Sequence, residues 1–138
     1  MRYKMPAAKY DFSIEQGSSF KLSMTYKNND EVPIDITGWC ARLTWTTDEG
    51  VLQSFVTTNI DLSLYKFTID GPNGKILLQL PAATTNLFTF STAKYDLELE
   101  SPDEMYAGGG NEIIRLIYGT VTLKKRYSEE DDLLECQP

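Results

Sequence analysis

The stretch Trp39-Cys40-Ala41-Arg42-Leu43-Thr44-Trp45-Thr46 decides the fold class. Trp39, Ala41, Leu43 and Trp45 occupy alternate positions, and Cys40, Arg42, Thr44 and Thr46 fill the places between. Successive side chains of a strand point to opposite faces. Alternation of this kind therefore predicts a half-buried strand. Both tryptophans share the parity of Ala41 and Leu43, so both are expected in the core between two sheets. Exposed on a sheet, the same pair could stack on sugars; the shared parity favours the core.

The same period-two pattern extends in both directions. Tyr10, Phe12 and Ile14 oppose Asp11, Ser13 and Glu15. After the break Gln16-Gly17-Ser18, the residues Phe20, Leu22, Met24 and Tyr26 oppose Lys21, Ser23, Thr25 and Lys27. Asn28-Asn29-Asp30 is turn chemistry, because these side chains bond their own backbone. Downstream, Asp48-Glu49-Gly50 leads to a return strand over 51–57, with a bulged turn between them. A short strand is expected over 67–70, ended by Gly71-Pro72-Asn73-Gly74. Strands follow at Lys75 to Leu80 and around Tyr95, Leu97 and Leu99. The segment 82–88 is the one stretch that reads as helical, for one or two turns. The last strand, Ile113 to Lys125, is apolar on both faces near Ile114 to Tyr118. That predicts a central position or an interface. Seven or eight short strands with turn signals every 8–15 residues or so predict a sandwich or barrel, and the two-sheet sandwich is preferred.

The chain has 138 residues, 41% of them hydrophobic and 24% charged, with net charge −7. One domain of this size buries roughly 65–70% of its unfolded surface, so folding needs neither disulfide nor metal. The expected layout is an arm over 1–9, the sandwich over 10–126 and an acidic tail over 127–138. An acidic chain is a poor phosphate neutraliser, so nucleic acid and anionic membrane are not expected as partners. No stretch of about 20 apolar residues is present. Met1 to Lys9 lacks the apolar region of a secretory signal, and folding in a cytoplasm is expected. Cys40 and Cys136 are expected to be reduced and unpaired.

Histidine is absent from the sequence, which removes the commonest general base and zinc ligand. No Cys-x-x-Cys is present for zinc. Gly108-Gly109-Gly110 lacks the lysine and the helix of a phosphate loop. Asp96, Glu98 and Glu100 share a strand face at steps of about 6.5–7 Å. Such carboxylate pairs can hydrolyse glycosides, but a solvated outer face is the plainer reading. Asn28, Asn29, Asp30, Glu31 and Asp35 supply oxygen ligands of the kind calcium takes; a polar turn is again plainer. No catalytic residue, cofactor site or metal site is expected, and the chain is not expected to be an enzyme.

Gly17-Ser18-Ser19-Phe20 opens an alternating strand, and Pro33-Ile34-Asp35-Ile36-Thr37-Gly38 leads to the strand ending near Trp45. With Tyr95-Asp96-Leu97-Glu98-Leu99 and Tyr118-Gly119-Thr120-Val121-Thr122-Leu123, this order resembles small structural proteins of tailed bacteriophages. In particular it is similar to the immunoglobulin-like N-terminal domain of upper baseplate proteins, over residues 10–125. The resemblance implies an immunoglobulin-like two-sheet antiparallel β-sandwich with at most one short helix. It also implies a virion structural role, in tail or baseplate, through contacts with other virion proteins and with copies of the chain. Assembly would take place in the host cytoplasm.

Pro33, Asp35 and Gly38 also have physical roles: a preset turn, a backbone acceptor and a sharp bend. The candidate interface is Ile114, Leu116 and Tyr118 on the last strand, with Arg2 and Tyr3 in the arm. The alternatives are a capsid decoration protein and a glycan- or receptor-binding accessory module. The last would use exposed aromatics such as Tyr65, Phe90 and Tyr106 on a host glycan.

Overall fold

A computed structural model describes residues 7–59, 61–104 and 110–127. The chain is an all-β two-sheet sandwich. Its strands are β1 (Ala8–Lys9), β2 (Phe12–Glu15), β3 (Phe20–Thr25), β4 (Cys40–Thr47), β5 (Leu52–Val56), β6 (Lys66–Asp70), β7 (Lys75–Leu80), β8 (Thr92–Glu104) and β9 (Asn111–Lys124). A single helical turn, α1 (Ala82–Thr85), follows β7 where Pro81 ends it. Gly71–Asn73 forms a 3-10 turn between β6 and β7.

The larger sheet has the order β1-β9-β8-β4-β5, with β2 also on the free side of β9; the smaller has β3-β7-β6. With β3 to β9 taken as strands B, C, C′, D, E, F and G, these are the sheets G-F-C-C′ and B-E-D. That is the strand order of an immunoglobulin-type sandwich. All pairings are antiparallel except those of β1 and β2, which run parallel to β9. Among the described residues, pairing with β9 starts at Ala8. Gly119 explains the break between β1 and β2. A Cβ there would lie 2.6 Å from Asp11 Oδ1 and nearer still to the Tyr10 carbonyl. The two strands meet β9 on either side of this close approach, and the Asp11 carboxylate accepts a hydrogen bond from the Thr120 amide, 2.8 Å away.

Alternation sets the core. Ile14, Leu22, Ala41, Leu43, Trp45, Phe55, Leu78, Leu97, Leu99 and Val121 are all buried in one cluster. Trp45 is 1% exposed and meets Phe55, Phe88 and Phe90 edge-on, at centroid separations of 5.0, 5.5 and 5.4 Å. Trp39 departs from its expected full burial. It precedes β4, in the connection between the sheets, and is half-buried against the core edge.

The segment Pro33 to Gly38 carries the chain from the smaller sheet to the larger. Asp35 Oδ1 accepts hydrogen bonds from the Thr37 amide at 2.9 Å and the Thr37 hydroxyl at 2.5 Å. These bonds hold the Asp35 carboxyl below its ordinary pKa, the hydroxyl first and the amide second. Ile36 is fully buried, and its amide donates to the Gly71 carbonyl at 2.9 Å. Gly38 has φ +83°, a left-handed backbone that favours glycine.

Candidate functional site

Strand β9 was expected to carry the interface because it is apolar on both faces, and its pairing explains that pattern differently. Leu97 opposes Ile117, and Glu98 opposes Arg115, so Leu116 is an extra residue in the ladder. Two residues on one strand facing one on its partner make a β-bulge. The bulge turns Leu116 and Ile117 inward together, at 8% and 7% exposure, and Ile114 is buried at 2%. Ile114 and Leu116 thus belong to this chain's own core, which corrects their assignment as interface residues. Tyr118 alone of the three faces outward, and it is half-buried. Arg2 and Tyr3 lie outside the described residues, as do Tyr106, Cys136 and residues 128–138.

Around Tyr118, the outer face of the larger sheet is a polar relief built by strand register. The Arg115 guanidinium lies over the Tyr118 ring, 4.5 Å from its centroid. Its Nε is 3.8 Å from Asp96 Oδ2. Arg42 donates to Glu98 Oε1 at 2.8 Å, across the β4–β8 pair. That bond, reinforced by the neighbouring carboxylates, raises the Arg42 pKa against the cost of desolvation. Asn111 Nδ2 donates to Glu100 Oε2 at 2.9 Å. The carboxylates expected on one strand face do share it, and each has a polar or cationic partner. The Thr44 and Ser54 hydroxyls bond at 3.1 Å.

Apolar side chains stand at the margins of this face: Ile113 at 47% exposed, and Val51 and Leu52 on the β4–β5 hairpin at 53% and 68%. Cys40 is exposed and free. It borders a shallow cleft of about 240 Å³ that Arg42, Glu98, Glu100 and Ile113 also line.

The other candidates resolve into structure. Asn28 Oδ1 accepts from the Asp30 and Val32 amides at 2.9 and 3.0 Å, which is turn geometry. Glu31 pairs with Lys27 at 3.5 Å. Phe90 is 3% exposed, which corrects its place among the exposed aromatics. Tyr65 is half-buried, edge-on to Phe55 at 5.0 Å, with its hydroxyl accepting from the Val56 amide. Sequence reasoning missed the exposed hairpin leucine, Leu52. Three positions from buried Phe55, it has the opposite parity and so faces outward; the signal was present.

Compared by sequence, the chain matches no protein-family model and no curated protein.

Proposed function

We propose that this protein is a non-enzymatic structural and assembly protein of a tailed-phage virion, working in the tail or baseplate through protein–protein contacts. The observation that carries the proposal is the use made of Pro33 to Gly38, the segment bearing the sequence resemblance. Its residues form the corner that joins the two sheets, with Asp35 bonded to Thr37 and Ile36 buried. Motif residues spent on the corner support a role in which the sandwich itself is the working part. The outer face of the larger sheet agrees with that reading. Tyr118, Ile113 and Leu52 give it apolar relief, and its ion pairs can reorganise against a partner. Interfaces combine such aromatic and arginine anchors with a polar surround.

The test is assembly by the Tyr118→Asp variant. In an infected host that supplies tagged chain, wild-type protein is expected to enter tailed particles. The variant should remain unassembled while keeping a folded melting transition. Wild-type chain that never enters particles would overturn the proposal.

A further inference from the structure

The edges of the two sheets are protected unequally. An exposed strand edge invites pairing with another strand, and proteins blunt such edges with charges, proline or bulges. The edge strands β1, β2 and β3 carry Lys9, Glu15 and Lys21, and β6 carries Lys66 and Asp70. Strand β5, the far edge of the larger sheet, has none of these devices. The run Val51-Leu52-Gln53-Ser54-Phe55-Val56-Thr57-Thr58 holds no charge, proline or glycine, and its register with β4 is unbroken. Among the described residues β5 pairs with β4 alone.

Backbone bonds show which groups on this edge remain free. The Thr57 amide donates to the Ala41 carbonyl at 3.1 Å, and the Thr47 amide to the Val51 carbonyl at 2.9 Å. Odd-numbered residues of the strand therefore turn their backbone groups to β4. Even-numbered residues turn theirs outward, since the direction alternates along an antiparallel ladder. At Val56 both outward groups are occupied. Its amide donates to the Tyr65 hydroxyl at 3.2 Å, and its carbonyl accepts from the Asn59 amide at 3.2 Å. Leu52 and Ser54 are left, each with an amide and a carbonyl directed away from the ladder. Both residues are exposed.

We infer that two copies of the chain join β5 to β5, antiparallel, about a two-fold axis at Gln53, so that their larger sheets become one. In this register Leu52 of each copy forms a doubly bonded pair with Ser54 of the other. That satisfies the outward groups of both residues. An axis at Ser54 would instead oppose Leu52 to Val56, whose groups are already taken. On the outer face, Leu52 lies diagonal to Leu52 and Val56 of the second copy, within reach of a long side chain. Residues 50–56 oppose one another, and none of them is charged. Two chains of net charge −7 repel, so they meet most readily along this neutral strand. A contact about a two-fold axis is self-complementary and closes on itself. The inference rests on this edge and not on the virion reading, and the purified chain tests it.

Sedimentation equilibrium of the full chain is expected to show a reversible dimer. Leu52→Lys, at a residue 68% exposed in the single chain, should leave the fold intact. It should weaken dimerisation by about tenfold or more, the loss of one leucine's burial. Ser54→Pro removes an outward amide without touching the ladder to β4 and should weaken it as well. The axis is tested in a Cys40→Ser, Cys136→Ser background. There Gln53→Cys should form a disulfide-linked dimer with oxidised glutathione, because residues facing each other across the axis have Cα atoms about 4.5 Å apart. Val51→Cys in the same background should not, and equal cross-linking at both positions would overturn the register. A chain that stays monomeric up to about 1 mM would overturn the inference. So would a dimer indifferent to both Leu52→Lys and Ser54→Pro, since its contact would lie elsewhere, as on the face around Tyr118.

Discussion

At the scale of single residues, burial separates groups that the sequence treats alike. Trp39 and Trp45 have the same parity, yet Trp45 is 1% exposed among three aromatic rings and Trp39 is half-buried. Trp45→Ala is expected to cost about 3–5 kcal/mol in urea unfolding, the range for large aromatic truncation in a core. Trp39→Ala should cost clearly less, and equal losses would contradict the difference in burial. Tyr95 is the second discriminating residue. Its hydroxyl donates to the Tyr10 carbonyl, tying β8 to the junction of β1 and β2. Burial, chiefly, raises its pKa above the ordinary value near 10, and Tyr10 and Asp11 add to the effect. The unfolded chain therefore releases the Tyr95 proton first. The stabilisation is complete below about pH 10 and is lost as pH rises beyond it. Tyr95→Phe should lower stability at neutral pH by about 1–2 kcal/mol, the loss of a buried hydrogen bond. It should also flatten the alkaline decline measured by denaturant titration at pH 9 to 11.

At the scale of elements, strand parity was legible wherever the ladder is regular. Leu22, Leu43, Trp45, Ile76, Leu97 and Leu99 are buried on the expected faces, because alternation records which side of a strand meets the core. Two features left no trace in that pattern. The bulge at Leu116 shifts parity by one residue, so two inward neighbours read as two apolar faces. The parallel pairing of β1 and β2 with β9 joins residues more than 100 positions apart, such as Phe12 and Val121, and no local periodicity reports it. Of the candidate interface, Tyr118 was singled out because the strand reads as apolar on both faces; it faces outward, and its Arg115 and Asp96 neighbours required the register. The bulge makes a sharp prediction. Leu116→Asp places a carboxylate in the core and should prevent folding or cost several kcal/mol. Tyr118→Asp, on the outer face, should cost about 1 kcal/mol or less, read by thermal melting. Similar losses for both would show that Tyr118 is internal as well.

At the scale of the whole molecule, the two sheets present unlike surfaces. The larger carries paired charges, Arg42 with Glu98 and Arg115 with Asp96, bordered by Ile113 and Leu52. The smaller carries exposed Lys21, Lys66 and Lys75, with no ion-pair partner among the described residues. Oriented differences of this kind fit a subunit that meets different neighbours on different sides, since complementary potentials fix partner and register. The core beneath them is continuous, so contacts on one face need not disturb the other. Such sidedness is compatible with the proposal that the chain is a building block of a virion. Quantitative mass spectrometry of purified tailed particles tests it most directly. This chain is expected in intact particles at a fixed copy number that is a simple multiple of the symmetry of its site. Its absence from particles, with the chain recovered only from the surrounding lysate, would contradict it.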